Sequence, residues 1–85
     1  MSLFKDACDT LVKRWGDPSW VGQGKCVWAR KGGEIHLITD IGREFPRAFV
    51  VAITPNAEAQ WRVREAGSLN RVVRKSLFFL RSNQD

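Results

Sequence analysis

Histidine and cysteine are scarce in this 85-residue chain: His36 is the only histidine, and Cys8 and Cys26 are the only cysteines. A zinc site of the usual Cys/His spacing cannot be assembled from so few ligands. No metal and no cofactor is expected. The lone His36 sits beside Ile35 and Leu37 in a strand-like stretch, where a structural or solvated role outweighs a catalytic one. Ser2, Ser19, Ser68, Ser76 and Ser82 lie in no nucleophile motif. Gly22-Gln23-Gly24 and Gly32-Gly33 are not followed by a helix whose N-terminus would bind phosphate. No apolar run approaches the ~20 residues of a membrane span. Met1–Asp6 shows no apolar signal core, so a soluble, cytoplasmic protein is expected, with no membrane partner. Both cysteines fall on apolar faces and are expected to be reduced and buried, behaving as small hydrophobes.

Acid is the other shortage. Nine Asp/Glu against fourteen Lys/Arg leave a net charge of +5. The imbalance is concentrated after Gln60. There Arg62, Arg64, Arg71, Arg74, Lys75 and Arg81 face only Glu65 and Asp85. Such asymmetry suits an anionic partner, although it also simply keeps a small protein soluble.

What is present is a folding sequence. Hydrophobic residues make up 44% of the chain, including four Trp and five Phe, enough for one small core. Residues 1–85 read as one domain, with a polar tail at 82–85 expected to fray. Leu3, Phe4, Ala7, Cys8, Leu11, Val12 and Trp15 recur at helical spacing behind a capping Ser2. Gly16 and Asp17-Pro18 stop that helix. Residues 17–24 read as a loop whose Trp20 and Val21 either fold back as a lid, the favoured reading since an exposed Trp needs a use, or are exposed for a partner.

Lys25–Lys31 and Glu34–Asp40 read as a hairpin around Gly32-Gly33. That register sets Lys31 against Glu34, Trp28 against Leu37, Ala29 against His36 and Lys25 against Asp40. Asp40, Arg43, Glu44 and Arg47 around the next loop are expected to be solvated charges. Arg47–Thr54 is apolar on both faces and suits the sheet interior. Ala57–Glu65 alternates with a period of two, which argues for a strand, although its Ala and Glu content also suits a helix. An odd-length connection would place Phe49, Val51 and Ile53 on the face of Ala59, Trp61 and Val63. Ser68 is placed to cap a last helix over 69–81, for which a fifth strand is the alternative. The fold class is α+β, in the order α-β-β-β-β-α, with both helices on one face of an antiparallel sheet.

That last helix carries the one pointer to function. Leu69, Val72, Val73, Ser76, Leu77 and Leu80 share one side, and Arg71, Arg74, Lys75 and Arg81 the other. Phe78 lands amid the basic side, where the core has no use for it. Phosphates need only cations that reach a common surface, and an exposed aromatic can stack on a base. The expectation is a non-enzymatic module that contacts nucleic acid through Arg62, Arg64, Arg71, Arg74, Lys75 and Arg81. The alternative is a protein-interaction module (a homodimer, an inhibitor or an adaptor) that uses Trp20, Phe45, Phe78 and Phe79. Element order alone is similar to that of double-stranded-RNA-binding domains. Ser68-Leu69-Asn70-Arg71 offers a single charge where their last helix begins with a basic cluster, so no residue role carries over.

Overall fold

Apolar periodicity sets both helices of the computed structural model, which describes residues 2–83. Helix α1 spans Leu3–Trp15. Ser2 Oγ accepts from the Lys5 N–H at 3.2 Å, satisfying one of the donors that a helix start leaves free. Five strands follow: β1 (Trp20–Gly22), β2 (Lys25–Arg30), β3 (Gly33–Thr39), β4 (Ala48–Ile53) and β5 (Glu58–Val63). A single 3₁₀ turn at Ala66–Ser68 leads into α2 (Leu69–Ser82). The strands pair in sequence order as one antiparallel meander.

Strand parity assigns the two sheet faces. Cys26 and Trp28 on β2, Ile35 and Leu37 on β3, Ala48, Val50 and Ala52 on β4, and Val63 on β5 form one cluster with Ala7 and Leu11 of α1 and Leu69, Val72, Val73 and Leu80 of α2. Both helices therefore lie on one face, and the fold is a two-layer α+β domain. Trp28 latches α1 to the sheet: its Nε1–H donates to the Gly16 carbonyl at 3.0 Å, and its ring meets Trp15 edge-on at 5.8 Å.

Several expectations are corrected here. Residues 17–24 are not only loop, because Trp20–Gly22 adds an edge strand beside β2. Trp20 and Val21 are not a lid; they are 54% and 63% exposed. The Trp20 ring lies against Gly22 on its own strand instead.

The β2–β3 hairpin is shifted by two residues from the expected register. Trp28 faces Ile35, Val27 faces His36 and Lys25 faces Ile38, with Arg30 opposite Gly33. The turn therefore sits on Lys31-Gly32. Only Gly32 needs the positive φ of +91°, which costs glycine little. Gly33 belongs to the strand, where a Cβ would run into the Ile53 carbonyl oxygen. A two-residue slip leaves every side chain on its expected face.

The β4–β5 parity is the reverse of the expected one. Ile53 pairs with Glu58 across a four-residue connection, and this even length sets Val50 beside Trp61 and Phe49 beside Arg62. Thr54 closes that turn, taking the Ala57 N–H on its Oγ1 at 2.9 Å. Ser68 does not cap α2 with its side chain; its Oγ donates to the Glu65 carbonyl at 2.8 Å. Of the tail at 82–85, Ser82 closes α2 and the Asn83 amide donates to the Phe79 carbonyl at 2.9 Å. Positions 84 and 85 lie outside the described residues.

Candidate functional site

Helix α2 is amphipathic, and the sheet takes only one side of it. Leu69, Val72, Val73, Ser76 and Leu80 are buried against β4 and β5. Ser76 is tolerated there because its hydroxyl donates to the Val73 carbonyl at 2.7 Å. The opposite side presents Arg71, Arg74, Lys75 and Arg81 to solvent. Phe78 stands between them and is 64% exposed. The next residue, Phe79, turns toward β5 and meets the Trp61 ring edge-on at 6.0 Å.

Trp61 is half-buried because β5 is the sheet edge and has no strand beyond it. Between that edge and α2 runs a groove of about 640 Å³, with Trp61, Phe78 and Phe79 as its aromatic wall and Arg71, Arg74 and Lys75 as its cationic rim. A second cleft of about 480 Å³ continues from Trp61, Arg71 and Lys75 to Arg62 and Arg64. Five of the six expected cations thus meet along one edge of the molecule. Arg81 goes elsewhere, lining a separate cleft with Arg30, Lys31 and Leu77. Among the described residues, no acid lies within ion-pair distance of Arg62, Arg64, Arg71, Arg74, Lys75 or Arg81. Glu65 lines the second cleft beside these cations, and the edge as a whole carries an excess of positive charge. Sequence periodicity placed Trp61 inward and missed it as a groove wall; the pointer was its position on the last strand before α2.

The aromatics expected to serve an interaction lie on different parts of the molecule. Phe45 is 78% exposed in the loop after β3, Trp20 is on the far edge strand, and Phe79 is committed to Trp61.

The helix-free face of the sheet has its own order. Its central row reads Trp20, Val27, His36, Val51 and Gln60 across the five strands. One flanking row is acidic at Glu34 and Glu58, with Ile53 between them. The other is basic at Lys25 and Arg62, with Ile38 and Phe49 between them. Lys25 Nζ lies 5.7 Å from the Trp20 ring and the Arg47 guanidinium 5.3 Å from Phe49. His36 is buried, and its Nε2 meets Glu34 Oε1 at 3.0 Å.

His36 has Glu34 as its partner, and no group of three or more His, Cys, Asp or Glu able to hold a metal occurs among the described residues. The charges after β3 are organised rather than merely solvated, and Lys25 is not the partner of Asp40. Asp40 accepts from the Arg47 backbone N–H and from Arg47 Nε at 2.7 Å, and Arg43 Nε lies at 3.3 Å. Desolvation opposes the charged form of Asp40, but the Arg47 hydrogen bonds outweigh it and hold the carboxyl below its usual value of 3.8. No helix among the described residues is long and apolar enough to cross a membrane. No protein-family model, no curated protein and no solved structure matches the chain.

Proposed function

We propose that this chain is a small non-enzymatic module that binds single-stranded nucleic acid along the edge formed by β5 and α2. The observation that supports this reading is the groove itself: an aromatic wall of Trp61, Phe78 and Phe79 rimmed by Arg71, Arg74 and Lys75, none of which pairs with an acid among the described residues. A backbone of phosphates would follow the cations from Arg62 and Arg64 to Arg74. A base unstacked from its strand would lie on Phe78, whose ring is already bare. Stacking does not distinguish one base from another, so binding tolerant of sequence is expected. Fluorescence anisotropy of a labelled oligonucleotide tests the reading. Changing Arg71, Arg74 and Lys75 together to Glu should abolish binding and leave the thermal transition in place, because all three side chains point away from the core. A wild type that binds neither DNA nor RNA, single- or double-stranded, at low salt ends the reading.

The helix-free sheet face supports a second reading, self-association. A twofold axis lying in that face, along the central row, sets the acidic row of one copy on the basic row of the other and the central rows on each other. Trp20 would then be the aromatic anchor, the use that its exposure calls for. In sedimentation equilibrium the wild type should dimerise and the Glu34→Lys, Glu58→Lys double variant should not. A wild type that stays monomeric at every concentration removes this reading and leaves the first standing, since the two surfaces share only Gln60 and Arg62 of β5.

A further inference from the structure

The two cysteines are separated by 18 positions in sequence and belong to different elements, yet their Sγ atoms meet at 3.2 Å. Cys8 lies on α1 and Cys26 on β2, and both thiols are free. Cys26 is 5% exposed and Cys8 is half-buried at the edge of the core, so solvent reaches the pair from the Cys8 side. A disulfide needs about 2.05 Å between the sulfurs, leaving about 1.2 Å for the two elements to give up.

We infer that Cys8 and Cys26 are a modification site, a dithiol that small-molecule disulfides convert into an intramolecular cross-link between α1 and β2. The reaction balances in two exchanges. Cys8 loses its proton to water, and its thiolate attacks one sulfur of the small disulfide. That disulfide bond breaks, one small thiolate leaves and takes up a proton, and a mixed disulfide remains on Cys8. Cys26 then loses its proton and attacks Cys8 Sγ. The mixed disulfide breaks, and the second small thiol departs. Two protein thiols are oxidised, and one small disulfide is reduced to two thiols.

The surroundings set the rate and the order. Burial, the hydrogen bond to Cys26 and the charge around it push the Cys8 thiol up to about 12. Thiolate is therefore rare at neutral pH, and the first exchange accelerates as pH rises. The second exchange is favoured because Cys26 is already in contact with the sulfur that it attacks. The bond would close a loop of helix, edge strand and turn, and would hold α1 to the sheet independently of the Trp28 latch. It lies away from the β5–α2 edge and should not alter that surface.

Oxidised glutathione is the probe, with the native chain at pH 8–9 and the products read by intact mass and iodoacetamide capture. The wild type should lose two hydrogens, keep no glutathione and resist alkylation. Its midpoint of thermal unfolding should rise by roughly 10–20 °C and return on reduction. Cys26→Ser should stop at the mixed disulfide on Cys8, and Cys8→Ser should remain unmodified while folded. A wild type that retains both thiols, or accumulates the same glutathione adduct as Cys26→Ser, overturns the inference. So does a cross-link that leaves the unfolding midpoint unchanged.

Discussion

Phe78→Ala separates binding from folding at a single residue. Roughly a third of the Phe78 side chain is covered, since it is 64% exposed. Full burial of a Phe stabilises by about 1.5–3 kcal/mol, so truncation at this site costs no more than about 1 kcal/mol of stability. The thermal midpoint then falls by at most about 4–8 °C for a domain of this size. Loss of a base-stacking platform costs about 1–3 kcal/mol of binding, or roughly 5- to 150-fold in Kd. Phe79→Ala is the internal control. Phe79 is half-buried and shares an edge-to-face contact with Trp61, so its loss removes core packing together with an aromatic pair worth about 0.5–1.5 kcal/mol. Differential scanning calorimetry and oligonucleotide anisotropy on the two variants give the answer. Phe78→Ala should keep most of its stability and lose affinity, and Phe79→Ala should lose stability. If Phe78→Ala unfolds as readily as Phe79→Ala, the helical phase that builds the basic face is wrong. If its affinity is unchanged, no base stacks on it.

Two further predictions concern the frame that holds the groove. Gly33→Val should destabilise by about 1–3 kcal/mol although its φ is ordinary, because the new side chain meets the Ile53 carbonyl and Leu80; an unchanged thermal midpoint would refute the close approach of β3 and β4 there. Asp40→Asn should lower stability at neutral pH and matter less in acid. The folded carboxyl titrates below the unfolded value of 3.8, so its contribution is present above that pH and is lost as pH falls through the lower, folded value. A wild-type and variant pair whose difference in midpoint is the same at pH 7 and pH 2.5 contradicts the Arg47 clasp.

Elements with a single strong period were legible in the sequence. The apolar stripe from Leu3 to Trp15 gave α1 with its bounds, and the stripe from Leu69 to Leu80 gave the face of α2, including the exposure of Phe78. Registers were harder, because they depend on turn geometry that composition underdetermines. Gly32-Gly33 looked like the centre of the hairpin turn, but one glycine turns the chain and the other lets β4 approach. The connection after β4 has an even length, and one residue of parity moved Phe49, Val51 and Ile53 to the helix-free face. Strand β1 has three residues and no period to detect. The groove was half visible: its cations lie on one helix face, whereas Trp61 joined it only because β5 ended at the sheet edge. The thiol contact between Cys8 and Cys26 is a product of tertiary packing, with no signal in the spacing of the two residues.

The salt dependence of oligonucleotide binding tests the central claim most directly. Five cations, Arg62, Arg64, Arg71, Arg74 and Lys75, line the continuous edge. Each phosphate neutralised on a single strand contributes about −0.7 to the slope of log K against log salt, so the wild type should show a slope of about −3.5. Arg74→Ala should reduce it by about 0.7. A slope near zero, or one that Arg74→Ala leaves unchanged, would contradict the assignment of this edge to nucleic acid.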